Sequence, residues 1–583
     1  MHEHYHMRIL TVRRISQVFF LIMFLWFCVT ATLGAAWWQW RGWPINWILD
    51  LDPLTALATV LATGTLYATL TWSLVAVVLT LVVGRFFCGF ACPLGAITQA
   101  TGWVARRGLH QHGRVEANRY RRAQAWKYYF LAFFLALAFM GSVQTGLIDP
   151  LPLLHRSVNL ALLPLADNGL GVLSDEPRFY ASAWLIGVVF LGVVGLNLVL
   201  PRFFCRFICP LGALFGLLGR FSPWRIGKTP GKCGECRACE EYCEGACRPS
   251  GTIIIGECVM CMNCLDRCPA SRVTFAGFAS AAGEVGLPDL SRRGFIVAGS
   301  GLVLASMWGV GGLAGAGRDA SLIRPPGALD EERFLARCIR CGQCMRICPG
   351  NIIQPALLEA GVQGLWTPAV NYRIGRSGCQ PNCIACGQVC PTAAIRPLSL
   401  DEKQGLGEFA AQGPIRLGTA FVDRGRCLPW AMDRPCLVCH ELCPVSPKAI
   451  FTRTTFETIR DGEALPAKVQ GQVVVLEAII PTWANIVSGD YYLRGTGQPE
   501  AALRRITGLA GVGLTLERPL AADGLAAAGA RVDIVVRLSR PFVDAARCIG
   551  CGMCEHECPV SGRRAIRVYS ENESRSRSGR LLI

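Results

Sequence analysis

The sequence predicts a membrane α-helical bundle, four spans plus a fifth signal-anchor span. Two cysteine-rich portions are joined to it, a short one on the inner side and a larger α+β one outside. Three observations predict this. Four uncharged runs occupy the first 201 residues, a fifth follows twin arginines in mid-chain, and the 30 cysteines recur in regular groups. The 583 residues are enough for about four domain-sized pieces. Charged residues make up 17% and apolar residues 52%, with mean hydropathy +0.36. Soluble domains carry about 25% charged residues, so the composition argues against an all-soluble chain and excludes a disordered one.

The uncharged runs are 15–40, 53–84, 128–148 and 181–201. Each reaches the ~20 residues that cross a bilayer. Orientation follows from the loops. Arg106, Arg107, Arg114, Arg119, Arg121, Arg122 and Lys127 follow the second run, and Arg202, Arg206, Arg220, Arg225, Lys228 and Lys232 follow the fourth. The loops 41–52 and 149–180 are sparse in Lys and Arg. Positive loops stay inside, so the N-terminus, 85–127 and the stretch after 201 are expected in the cytoplasm. Trp37, Trp38, Trp40 and Trp43 then form a belt at the far interface. The net charge of +17 is explained by this loop bias, with no nucleic-acid partner.

The fifth run, 294–317, is preceded by Ser291-Arg292-Arg293-Gly294-Phe295. Twin arginines before a mildly apolar stretch suggest a twin-arginine export signal. Its place in mid-chain suggests two proteins fused end to end, with the remainder outside. The expected domains are a membrane domain 1–222, a cytoplasmic segment 223–285, a signal/anchor span 286–320 and a periplasmic domain 321–583. Residues 445–547 form a cysteine-free insert with β-like runs at Gln472–Ile480 and Arg531–Leu538.

Twenty-four of the 30 cysteines fall into six quartets. Cys233, Cys236, Cys239 and Cys243 have spacings of two, two and three residues, and Cys258, Cys261, Cys264 and Cys268 repeat them. So do Cys338, Cys341, Cys344 and Cys348, and Cys548, Cys551, Cys554 and Cys558. Two variants are Cys379, Cys383, Cys386 and Cys390, and Cys427, Cys436, Cys439 and Cys443. Five quartets are followed by proline, which fixes the direction of the ligand loop. Three thiolates on one tight turn bind one [4Fe–4S] cubane, and the fourth reaches a neighbouring cluster. Zinc prefers separated C-x2-C knuckles, and disulfide scaffolds are short secreted chains. Six [4Fe–4S] clusters are expected, two cytoplasmic and four periplasmic. In the cytoplasmic pair, proximity joins Cys233, Cys236 and Cys239 with Cys268, and Cys258, Cys261 and Cys264 with Cys243. The first quartet departs from the pattern: Glu244 replaces the proline and Cys247 lies nearby. Either Cys243 or Cys247 can be the fourth ligand, and spacing favours Cys243. Cys436-Leu-Val-Cys439-His440 also matches a c-type haem attachment signature, though the neighbouring cysteines suit a cluster better.

Four further cysteines form a separate repeat. Arg85-Phe-Phe-Cys88-Gly-Phe-Ala-Cys92-Pro93-Leu-Gly-Ala recurs as Arg202-Phe-Phe-Cys205-Arg-Phe-Ile-Cys209-Pro210-Leu-Gly-Ala. Positions i and i+4 share one helix face, so Cys88 with Cys92, and Cys205 with Cys209, can each hold a metal or act as a redox dithiol. The adjacent arginines favour the thiolate. Cys28 stands alone within the first run.

By these motifs residues 1–285 resemble the NapH-type membrane ferredoxin protein of the periplasmic nitrate reductase system. Residues 286–583 resemble its NapG-type exported companion, on the twin-arginine segment, four cluster motifs and Pro435-Cys436-Leu-Val-Cys439-His440-Glu-Leu-Cys443-Pro444-Val445. The methylamine-utilisation ferredoxin pair is related. The resemblance implies a multi-pass protein of the bacterial inner membrane, with its C-terminal domain in the periplasm. It implies electron transfer from the membrane quinone pool, with possible quinol dehydrogenase activity, to a periplasmic reductase or cytochrome c acceptor. It also suggests that exported motif one shares ligands with motif four, and two with three. The alternative joins one with two and three with four. A second functional reading is a copper- or metal-reducing assembly factor for a respiratory metalloenzyme, with the C-x3-C-P thiols binding a soft ion. Two weaker signals remain. His2, His4 and His6 sit at a terminus, and Asp149, His155 and Arg156 at the outer end of the third run can accept quinol protons.

Overall fold

This computed structural model describes residues 2–30, 45–170, 178–230, 236–290, 294, 322–464, 466–477, 485–519 and 531–575. The chain divides into two units, residues 1–375 with 384–403, and residues 376–383 with 404–583. The division falls inside the stretch 321–583 expected as one domain. The twin-arginine segment, the fifth run and the tryptophan belt lie outside the described residues, apart from Gly294.

In the first unit, helix α1 (His2–Thr30) contains Ile9–Thr30, a segment long and apolar enough to cross a membrane. Runs 53–84 and 128–148 are broken into shorter helices, and run 181–201 gives one helix of 17 residues. Run 53–84 becomes α2 (Pro53–Thr63) and α3 (Ser73–Val83). Gly64, at φ +68°, ends α2 in the left-handed conformation that glycine adopts without strain. Run 128–148 gives α5 (Trp126–Phe139), which follows α4 (Pro93–Ala105). The chain then re-enters a helix at Pro150, in α6 (Pro150–Ser157). Run 181–201 gives α7 (Ala183–Val199), and α8 (Pro210–Gly219) follows. Among the described residues one helix is long and apolar enough to cross a membrane, and shorter apolar helices cover the other three expected spans.

Packing among these helices is reciprocal. Helix α3, before the first C-x3-C-P, packs on α8, after the second, and α7 packs on α4. The shared core includes Leu54, Leu94, Leu131, Leu154, Phe204 and Phe215, and also Ile339 and Cys341. Outward positions on α1, α3 and α7 are apolar, among them Phe19, Ile22, Val78, Leu79, Val188 and Leu191.

Three pairs of cysteine motifs are closed by the same antiparallel device. Strand β1 (Arg225–Lys228), before the first motif, pairs with β2 (Val273–Ala276), after the second. Ala328 bridges Ile395 around the next pair. In the second unit β3 (Thr419–Val422) pairs with β11 (Ile566–Tyr569). The insert in that unit is a seven-stranded antiparallel sheet of β4 (Ile450–Ala464), β5 (Pro466–Gln470), β6 (Val473–Leu476), β7 (Tyr491–Gly495), β8 (Arg504–Ala510), β9 (Gly513–Leu516) and β10 (Val532–Val543). Their order is β4-β10-β7-β8-β9-β6-β5. Alternate residues such as Val474, Leu476, Leu493, Leu514 and Ile534 build its core. Strands β6 and β10 fall on the two β-like runs expected from sequence.

Candidate metal centres

The second cysteine of each C-x3-C-P caps a helix. Cys92 accepts a hydrogen bond from Gly95 N at 3.4 Å, and Cys209 accepts one from Gly212 N at 3.2 Å. Proline suits the first helical position because its missing N–H has no intrahelical partner there. The chain before it is a separate short helix, Phe86–Phe90 or Phe203–Phe207. Each cysteine pair therefore straddles a helix junction. This corrects the expectation of two thiols on one continuous helix face: the proline starts a new helix.

The reciprocal packing brings the four thiols of both repeats together. Cys92 interacts electrostatically with Cys88 and Cys205, and Cys209 interacts with Cys205 and Cys88. Thr98 Oγ1 lies 3.9 Å from Cys205 Sγ. Arg85 interacts with Cys88 and Cys209, and Arg202 with Cys205 and Cys88. A Cβ at Gly212 would stand 2.9 Å from Arg85 Nη2 and 3.3 Å from Cys209 Sγ, so any larger residue there would displace the Arg85 guanidinium from beside the thiols.

The arginines of the repeats also grip the segment 236–285. Arg85 Nη1 donates to Gly256 O at 2.9 Å, and Arg202 pairs with Glu244 at 2.6 Å. Arg206 donates to Glu244 O and Cys243 O. Arg13, from α1, donates to Cys261 O at 2.6 Å and pairs with Glu244 at 3.6 Å. Burial alone would raise the pKa of Glu244, but Arg202, Arg13, Arg106 and Arg206 together hold it below the ordinary carboxylate range. The residue that replaced a motif proline is thus the counter-ion of a buried arginine cluster. Sequence reasoning missed this role, and missed Arg13. The anomaly at Glu244 was the available signal.

Cys243 interacts with Cys258, Cys261 and Cys264, and Cys239 with Cys268, as proximity in sequence predicted. Cys247 Sγ lies 3.7 Å from Cys243 Sγ and also faces Cys258. Cys236 is exposed, and Cys233 lies outside the described residues. Between α1 and α4, a cavity of 670 Å³ reaches this segment. Val18, Leu21 and Trp103 form its apolar side, and Gln17, Gln99 and Glu244 its polar side.

At the other end of the first unit, Cys338, Cys341 and Cys344 face Cys390, with Cys386 beside Cys344. This loop packs directly on the bundle. Arg156 donates to Arg340 O at 3.2 Å, and Gln343 Nε2 lies 3.3 Å from His155 Nδ1. Asp149, His155 and Arg156 are not in an outer loop. Asp149 immediately precedes α6, and all three are buried. Among the described residues both carboxylate oxygens of Asp149 and Nε2 of His155 have no hydrogen-bond partner.

In the second unit Cys427, Cys436 and Cys439 face Cys558. Cys548, Cys551 and Cys554 gather together, with Cys443 facing Cys548 and Cys551. Cys390 of motif two thus joins three thiols of motif one, and Cys558 of motif four joins three of motif three, where the nesting suggested by the resemblance would exchange them. Each antiparallel closure joins the flanks of consecutive motifs, which fixes that partnership. The other thiols of these four motifs are Cys348 of the first unit and Cys379 and Cys383 of the second. His440 Nδ1 lies 2.8 Å from Ile450 O, and Cys436 and Cys439 belong to a four-thiol group.

These groups fit iron–sulfur cores. Burial first, and neighbouring thiols second, push Cys264, Cys344 and Cys554 well above the ordinary thiol range. Four thiolates there need a cationic core to offset them. Among the described residues no three His, Cys, Asp or Glu side chains gather closely enough for a single ion.

Comparison with known proteins agrees. A family model described as a 4Fe-4S binding domain, Fer4_5, matches residues 65–110 and 182–229. A second with the same description, Fer4, matches 334–354 and 541–562. Ferredoxin-type protein NapH of Haemophilus influenzae is 27% identical over 48% of this chain and 93% of its own length. Ferredoxin-type protein NapG of Escherichia coli is 35% identical over 22% of this chain and 50% of its own. The chain resembles a NapH-like part joined to a NapG-like part. Protein NirI of Paracoccus denitrificans is 28% identical over 38% of this chain, which spans only 32% of NirI. No solved structure matches. Iron–sulfur electron transfer is the activity these relatives and family models support.

Proposed function

We propose that the protein is a multi-pass iron–sulfur protein of the bacterial inner membrane that oxidises quinol. It passes the electrons to a periplasmic reductase or cytochrome c acceptor. Its membrane part has four spans, with apolar side chains of α1, α3 and α7 turned to lipid. Residues 286–320 serve as a twin-arginine signal and remain as an anchor. Six [4Fe–4S] clusters, two inner and four outer, act as one-electron carriers when bound.

The observation that carries this reading is contact between the bundle and cysteine loops at both of its ends. A Cβ at Gly89, beside Cys88, would lie 2.5 Å from Val259 O of the Cys258–Cys264 loop. At the opposite end Val143 N donates to Leu335 O, just before Cys338. The cavity beside Glu244 is large enough for a quinol ring. Its apolar wall accepts the ring, Gln17 Oε1 accepts from one quinol hydroxyl and Gln99 Nε2 donates to the other. The ring would then lie beside Asn263, the neighbour of Cys264. Quinol loses two protons and two electrons. The buried Asp149 carboxylate and His155 Nε2 favour a second location for proton acceptance, near Gln343.

The test is anaerobic addition of duroquinol to the intact protein in lipid nanodiscs. The visible iron–sulfur absorbance is expected to bleach. Gln17→Ala with Gln99→Ala should slow bleaching at unchanged iron content, and His155→Ala should leave it unaltered. Slowing only by His155→Ala moves the site to the outer end. No bleaching in the native protein rules out quinol oxidation.

A further inference from the structure

Electrons passing between the two ends of the bundle need a carrier inside it. Inner and outer cysteine loops lie at opposite ends of the first unit, and the four uncharged runs contain no histidine that could hold a haem. The C-x3-C-P thiols occupy that position.

We propose that Cys88, Cys92, Cys205 and Cys209 together hold one further iron–sulfur cluster, the electron carrier through the membrane bundle. Each matched 4Fe-4S stretch, 65–110 or 182–229, contains only two cysteines, and one cluster takes four thiolate ligands. Neither stretch is a complete ligand set. The reciprocal packing of α3 on α8 and of α7 on α4 completes it, each repeat contributing half. The surroundings suit a thiolate-ligated core. Two helix N-termini begin at Cys92 and Cys209, and that end of a helix favours negative charge. Arg85 and Arg202 stand beside the thiols and offset further charge. Leu94, Phe204, Leu211 and Phe215 are buried around them.

Position gives the group its role. On the inner side Gly89 brings the Cys88 loop against the backbone of Val259 and Met260, within the Cys258–Cys264 loop. Arg206, at the matching place in the other repeat, binds Cys243 O. On the outer side Cys209 interacts with Asp149, whose helix α6 carries His155 and Arg156 against the Cys338–Cys344 loop. One electron taken up by this core reduces it by one unit. Its transfer to the outer loop restores the oxidised form, so no ligand bond or proton needs to change. The proposal deepens the electron-transfer reading and rests on it for its role, but the presence of the core does not depend on quinol chemistry.

The test is iron and acid-labile sulfide content of the full chain, purified anaerobically in detergent, beside a Cys88→Ser/Cys205→Ser variant. Native protein with seven cubanes carries about 28 irons, against about 24 for six. The variant is expected to lose about four irons, or about two for a [2Fe–2S] core. Low-temperature EPR should lose one component and keep the ferredoxin-type signals. Cys28→Ser, outside the group, should change neither. A variant that fails to fold leaves the native count decisive: about 24 irons overturns the proposal. So does unchanged iron in the variant, a Cys88–Cys205 disulfide found by mass spectrometry, or copper or zinc as the only metal lost. If duroquinol fails to bleach the protein but the iron difference stands, the quinol reading falls and this one survives.

Discussion

Two kinds of cysteine site share the first unit, and they are assembled differently. In the ferredoxin-type motifs, three thiols come from one loop of seven residues, such as Cys258–Cys264, and only the fourth comes from elsewhere. In the C-x3-C-P group no more than two come from one place, and those two straddle a helix junction. The first kind is built by local spacing and the second by helix packing. A loop-built site should tolerate disturbance of the bundle. A packing-built site should register it.

The largest expected effect tests the loop-built kind. Cys390→Ala should remove the cluster held by Cys338, Cys341 and Cys344, a loss of about four irons. Cys558→Ala should affect the one held by Cys427, Cys436 and Cys439. EPR of the two variants reads this, and an exchange of the affected signals would restore nested sharing.

Next is the link between the two kinds of site. Glu244→Gln leaves Arg202 and Arg13 buried without their counter-ion, and breaking such a pair costs about 3–5 kcal/mol. Thermal unfolding followed by cluster absorbance should show it. The pH dependence has a definite sign. The folded pKa of Glu244 lies below its unfolded value of about 4.3. Its contribution is complete above that value and is lost as pH falls through the lowered one. The variant should therefore show a flatter acid limb than the native protein.

Gly89→Ala should have a smaller effect. The added carbon meets backbone at Val259, and forced repacking of this kind costs about 1–3 kcal/mol. Slower electron exchange between the inner cluster and the C-x3-C-P group, at constant iron, would sharpen the contrast, because only the packing-built site feels the shift. The smallest effect lies in the sheet of the second unit. Arg537 and Asp490 form an exposed ion pair at 2.5 Å, and Arg537→Ala should cost under about 1 kcal/mol without altering the clusters.

The quartets, their spacing and the fused organisation were legible in the sequence because a ligand loop is written in consecutive residues. The apolar runs were legible too, and so were strands β6 and β10 of the insert, through β-branched composition. Continuous helices were not, because Gly64 and Gly141, both at positive φ, interrupt runs that hydropathy joins. The anomaly at Glu244 was visible, but its meaning depends on Arg13, which lies 231 positions earlier in the chain. Tertiary structure alone decided which motifs share ligands, what Glu244 answers, and that two half-sites form one. Each of these depends on side chains distant in sequence meeting through backbone pairing or helix packing, and spacing along a chain carries no record of such meetings.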